Sequence, residues 1–237
     1  MSYVEKIKSG LEQYADAEKR EFLPRFFRAV PGGYGEGDIF MGVTVPLQRK
    51  IARKYYKAIP LEDVEKLLQD PLHECRLTAL LVLCLRYAGA RGEEDKKVLV
   101  NIYLRNLSHI NNWDLVDASS DKILGAYLLD KNKDLLYTLA ASGNLWQQRV
   151  AVMATFHFIR HGRCTETLEL AERLLGHGHD LIHKAVGWML REIGKRDFAV
   201  AYAFLLKHYR RMPRTMLRYA IEKFEPGLRQ QFLRGML

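Results

Sequence analysis

Residues 73–87 read HECRLTALLVLCLRY, and apolar side chains recur there at three- and four-residue spacing with nothing to interrupt a helix. Four later stretches fall under it: NNWDLVDASSDKILGAYL (111–128), LWQQRVAVMATFHFIRHG (145–162), DLIHKAVGWMLREIGK (180–195) and RTMLRYAIEKF (214–224). Aligned on Arg76, Asp117, Arg149, Lys184 and Arg218, they are offset by 41, 32, 35 and 34 residues. Shorter amphipathic stretches precede them, among them LEDVEKLLQD (61–70), KDLLYTLAAS (133–142) and DFAVAYAFLLKHY (197–209). Strand signals are nearly missing, and Pro or Gly marks the joins.

A helix pair repeating every 35 to 40 residues has the period of a HEAT-like solenoid, in which stacked pairs bury a continuous core and curve into a concave face. The expected fold is therefore all-α, a single repeat domain over 1–237 with its clearest repeats at about 61–222. Loops are expected near VPGGYGEGDIF (30–40), AGARGEED (88–95), ASGN (141–144), GHGHD (176–180) and RRMPR (210–214). Gly33, Gly35 and Gly37 follow no strand and open no helix, so the first loop reads as a connection and not as a phosphate cradle. The second helix of each pair should line the concave face, and the aligned column then predicts a positively charged groove holding one carboxylate.

The composition agrees. Of 237 residues 48% are hydrophobic, so the chain folds, and 37 Lys and Arg against 28 Asp and Glu leave a net charge of +9. An anionic partner follows, nucleic acid or a membrane surface, met by a folded basic surface because the positive charge is spread from Lys6 to Arg234. The start, MSYVEKIKSGLEQY, lacks the apolar core of a signal peptide, and no run is long enough for a bilayer, so a soluble intracellular protein without membrane contact is expected. Cys75, Cys84 and Cys164 have no zinc or disulfide spacing and read as reduced thiols. His177 and His179 read as part of a turn, and no metal site is expected.

Three aspartates crowd NNWDLVDASSD (111–121). With Asn112 as cap, Asp114 falls in the first turn, where free N–H groups and the helix dipole favour a carboxylate. Asp121, beside Lys122, reads as solvated or ion-paired. Neither reading accounts for Asp117, which lies between Val116 and Ala118 and shares a helix face with Trp113, four residues earlier. Trp188 stands four residues after Lys184 and should line the same groove, although an aromatic in a helical stripe is ordinarily core. Trp146 opens its helix and reads as packing.

The segments NNWDLVDASS, NLWQQRVAV and HKAVGWMLREIGK resemble the signature segments of the AlkD-type DNA glycosylases, the HEAT-like DNA alkylation repair enzymes. The likeness is strongest over about 95–195 and continues upstream in FMGVTVPLQRKIARKY, which resembles the family's Gly-hydrophobic-x-x-Pro-x-x-Arg segment. It implies a monomeric, cofactor-free DNA glycosylase of the cytoplasm, associated with the nucleoid, that acts on double-stranded DNA containing alkylated bases. Asp117 becomes the catalytic carboxylate, Trp113 and Trp188 the aromatic walls against the lesion nucleotide, and Arg149 the cation beside them. Lys184, Arg218, Arg76, Arg49 and Thr44 are the expected backbone contacts. Thr44 stands where relatives often carry glutamine, and Phe26 and Phe27 where a tyrosine is expected.

The chemistry is coherent. A purine alkylated at N3 or N7 is cationic and leaves as a neutral base, so little general-acid help is needed. The sugar becomes oxocarbenium-like, and one carboxylate near C1′ stabilises it and orients water. Cation–π attraction between tryptophan and a charged base, roughly 0.5–2 kcal/mol, favours damaged purines over normal ones. The rival readings are a non-catalytic HEAT-like protein that binds distorted DNA and a solenoid that holds an acidic peptide.

Overall fold

The computed structural model describes residues 1–237. The chain is all-helical, a helical-repeat architecture, and its one extended feature is an isolated parallel bridge between Ile39 and Leu72. It divides into two compact units, Met1–Ile123 and Leu124–Leu237.

In the first unit α1 (Tyr3–Glu12) opens on a capping box, Ser2 accepting from the Glu5 N–H while Glu5 accepts from Ser2. Next come α2 (Ala17–Phe26), capped by Asp16, and the glycine-rich loop. Then follow α3 (Val45–Tyr55), α4 (Leu61–Leu68), α5 (His73–Gly89), α6 (Glu93–Arg105), a 3₁₀ turn at Leu107–His109 and α7 (Trp113–Ser119). The hub is α5, with α3, α4, α6 and α7 packed around it. Its sequence explains this, because a helix apolar on nearly every side must be covered on every side, and His73 through Cys84 are buried without a break.

A π-helical turn, Asp121–Gly125, contains the boundary between the units. The second unit holds α8 (Ala126–Leu128), α9 (Asp134–Ala141), α10 (Leu145–Arg160), α11 (Thr165–Arg173), α12 (Asp180–Gly194), α13 (Phe198–His208), α14 (Arg214–Ala220) and α15 (Pro226–Arg234). Here α9 backs α10, α11 and α13 back α12, and α10, α12 and α14 pack in sequence. Asn144 starts α10 by accepting from the Trp146 and Gln147 N–H groups, and Trp146 is buried there as expected.

All five aligned charges sit on second helices, namely α5, α7, α10, α12 and α14. Cys75 and Cys84 are buried and unpaired, and burial pushes both thiols up to about 12. No helix is long and apolar enough to cross a membrane.

Candidate functional site

The most heavily constrained part of the first unit is the start of α7. Asn112, fully buried, caps the helix by accepting from the Trp113 N–H at 2.9 Å. Its amide also donates to Asp38 Oδ2 at 3.3 Å. Asp38 and Asp114 grip the buried His73 from opposite ring nitrogens, Nδ1 at 2.9 Å and Nε2 at 2.8 Å. Burial alone pulls an imidazole pKa down, but the two carboxylates outweigh it and raise His73 to about 9, so it is an imidazolium at neutral pH. The burial of Asp38 raises its own pKa, and His73 and Arg76 overcome that to leave it below the ordinary carboxylate range.

Asp114 therefore does more than favour the helix dipole. It accepts from the Leu115 N–H at 2.9 Å and ties α7 to α5 through His73. Of the two readings of Asp121, the structure takes the ion pair: its carboxylate is buried and lies 3.0 Å from Lys122 Nζ.

Arg76 differs from expectation. It is buried at 4% exposure, and its guanidinium donates to the Asp70 and Pro71 carbonyls, to Asp38 and to Asn111, so it braces the α7 anchor and presents nothing to a phosphate. The alignment places it correctly on a second helix, but repeat register does not reveal that a loop carboxylate closes over that position.

Trp113 and Asp117 project one turn apart from this anchored helix, both half-buried. The indole stacks on Phe27 with centroids 5.3 Å apart and meets Phe26 edge-on at 5.9 Å. Phe27 also packs on His73 and Phe40, so an aromatic column runs from the imidazolium to the tryptophan. Phe26, 51% exposed, Thr44 and Trp113 line a cleft of about 290 Å³ whose walls are mainly apolar. Phe26 and Phe27, which stand where a tyrosine was expected, thus supply rings to Trp113 without a hydroxyl.

Sequence reasoning missed Asp38, His73 and Glu74. Glu74, in the first turn of α5, looks like one more dipole-favoured acid. Its carboxylate instead accepts the backbone N–H groups of Met41, Gly42 and Val43, with distances from 2.8 to 3.2 Å. That grip holds the segment leading into Thr44, Pro46 and Arg49. Gly42 is obligatory in it, with φ at +88° and a position where any Cβ would stand 2.2 Å from the Asp16 carbonyl oxygen. Thr44 precedes α3 without a side-chain capping bond, and Arg49 is exposed.

The remaining expected residues belong to the second unit. Arg149 is buried on α10 and donates to the Leu181 carbonyl at 2.6 Å. On α12, Lys184 pairs with Asp180 at 2.8 Å, and Trp188, half-buried, donates its indole N–H to Glu192 at 3.2 Å. Arg218 is exposed on α14. The histidines before α12 fit the turn reading: His177 bonds Gln148 at 2.9 Å and His179 caps the helix, accepting from the Leu181 N–H. No group of three or more His, Cys, Asp or Glu side chains is arranged to hold a metal ion.

A predicted DNA alkylation repair enzyme from Enterococcus faecalis, known from its solved structure, superposes with a TM-score of 0.71 at 16% identity, over 90% of this chain and 97% of that one. The likeness is one of fold. No curated protein matches the chain. Across residues 7–224 it matches the model of the DNA alkylation repair enzymes, and the chain therefore belongs to that family.

Proposed function

We propose that the protein is a DNA glycosylase that hydrolyses the N-glycosidic bond of alkylated, positively charged purines, 3-methyladenine and 7-methylguanine, in duplex DNA. The observation that carries this reading is the pairing of Trp113 with Asp117 on one face of α7, a helix whose start is locked by a buried imidazolium, in a chain of the DNA alkylation repair family.

As the bond from the base nitrogen to C1′ breaks, its electron pair goes to the base and cancels the positive charge. The sugar takes up that charge, and the Asp117 carboxylate stabilises it by proximity. Water then attacks C1′, guided by the same carboxylate, which accepts its proton and leaves an abasic sugar and a free purine. A single carboxylate suffices because the leaving base needs no proton, and no metal or cofactor enters the step. Trp113 is backed by Phe27 and half-exposed, so it keeps surface for a cationic base. Trp188 is assigned to a lesion contact, and Lys184, Arg218, Arg49 and Thr44 to the phosphate backbone, whereas Arg149 is as buried as Arg76 and donates to the Leu181 carbonyl, so it braces the start of α12. Arg76 leaves that set because its guanidinium is already committed.

The test is release of 7-methylguanine from methylated duplex DNA, without added metal. Asp117→Asn should lower the rate by roughly 10²–10³-fold, the scale of removing one electrostatic stabiliser of the transition state. Full release by Asp117→Asn, with activity lost in Asp114→Asn, refutes the assignment. Salt-sensitive duplex binding without any release by the natural protein selects the non-catalytic reading.

A further inference from the structure

Outside the residues discussed above, a second cleft of about 580 Å³ opens between α1 and α3. Lys6 of α1 and Lys50 and Lys54 of α3 line it together with Tyr14 and Tyr55, and no acidic residue does. Each lysine lies over a tyrosine ring: Lys6 is 4.6 Å from the Tyr3 centroid, Lys50 5.3 Å from Tyr14 and Lys54 5.0 Å from Tyr55. Lys50 also donates to the Tyr14 hydroxyl at 3.0 Å.

Two features set this cleft apart from ordinary surface. Helix α3 carries Arg49, Lys50, Arg53 and Lys54 and no acid, and none of the four forms an ion pair. Several cations elsewhere are ion-paired, as in Lys8 with Asp70, Arg105 with Glu65 and Arg163 with Asp130. Uncompensated like charge on one helix opposes folding, and an anionic ligand relieves it. The second feature is Gly10, in the interior of α1 where glycine is unfavourable, at a point where any Cβ would approach Ile51 Cδ1 to 3.1 Å. Glycine lets α1 and α3 close on each other at the floor of the cleft.

Helix α3 borders both this cleft and the aromatic one, which share no lining residue. Thr44, Val45 and Gln48, at the start of α3, line the cleft of Trp113, whereas Lys50, Ile51, Lys54 and Tyr55 line this one. The helix that joins them has 11 residues and spans about 16 Å, a few phosphate steps along a strand, with Arg49 and Arg53 exposed between its ends.

We propose that the α1–α3 cleft is a second DNA-binding site, which takes the phosphodiester backbone of the duplex to one side of the lesion. Lys6, Lys50 and Lys54 neutralise phosphate oxygens there, and Tyr14 and Tyr55 flank the strand. The proposal shares with the proposed function only the premise that duplex DNA is the partner.

The experiment measures binding of a short, labelled, undamaged duplex over a salt series, for the natural protein, for Lys6→Glu/Lys50→Glu/Lys54→Glu, and for Arg91→Glu/Lys96→Glu/Lys97→Glu, which changes net charge equally elsewhere. The cleft triple should weaken binding by about tenfold or more and reduce the slope of log affinity against log salt by about two to three, near 0.9 for each phosphate that is no longer neutralised. The control triple should do neither. Equal weakening by both triples, or an unchanged affinity and slope in the cleft triple, overturns the proposal. Release of 7-methylguanine is assayed separately, so a protein that binds through the cleft and releases no base refutes the glycosylase reading and leaves the cleft intact.

Discussion

His73 gathers the most electrostatic work into one side chain. It is fixed between Asp38 and Asp114, with Arg76 on Asp38 and the Phe27 and Phe40 rings against its faces. Its folded pKa of about 9 lies above the roughly 6.5 of an unfolded chain. Its contribution to stability is thus fully present below about pH 6.5 and is lost as pH rises through about 9. Asp38, shifted down, acts at the other end, stabilising above about pH 3.9 and failing as acid protonates it. Urea midpoints should therefore fall between about pH 6.5 and 9. His73→Gln should flatten that slope and cost about 3–5 kcal/mol near neutrality, because two buried carboxylates lose their charged partner. An equally steep decline in His73→Gln would assign the titration to another group.

At the level of elements, two helix starts do more than begin helices. The first turn of α5 supplies Glu74, which holds residues 41–43, and the first turn of α7 supplies Asp114, which holds α5. Glu74→Ala strands three backbone donors in a buried setting and should destabilise by about 3 kcal/mol or more in thermal unfolding, with new protease sensitivity near 41–43. Sequence reading could place these acids in first turns, because cap and dipole preferences are local. It could not see their partners, since Glu74 lies 31 to 33 residues from the N–H groups it accepts and Asp114 lies 41 from His73, and they meet only through tertiary packing. The helices themselves were legible from three- and four-residue apolar spacing, which every pair in a repeat architecture must display to be covered. The same logic placed Trp113 and Asp117 on one face, and it misjudged Arg76, where exposure depends on a loop.

For the molecule as a whole, repeat period and composition together revealed the architecture, because each helix pair needs its neighbours to bury its apolar face. The charge of +9 was equally plain, but not that the four cations of α3 would stand without an ion pair. That tight burial has a consequence for the protein's own chemistry. Electrophiles that alkylate DNA also attack proteins, and thiolates are the softest nucleophiles a protein contains. Burial pushes the pKa values of Cys75 and Cys84 up to about 12, so both stay protonated at neutral pH and the fold keeps their sulfurs nearly inert toward electrophiles. Mass spectrometry after brief exposure of the native protein to iodoacetamide should find Cys164, half-buried in the fold, modified first, and the other two only once the protein is unfolded. An interior that withholds its sulfur in this way lets the folded protein persist among electrophiles that would consume exposed thiols.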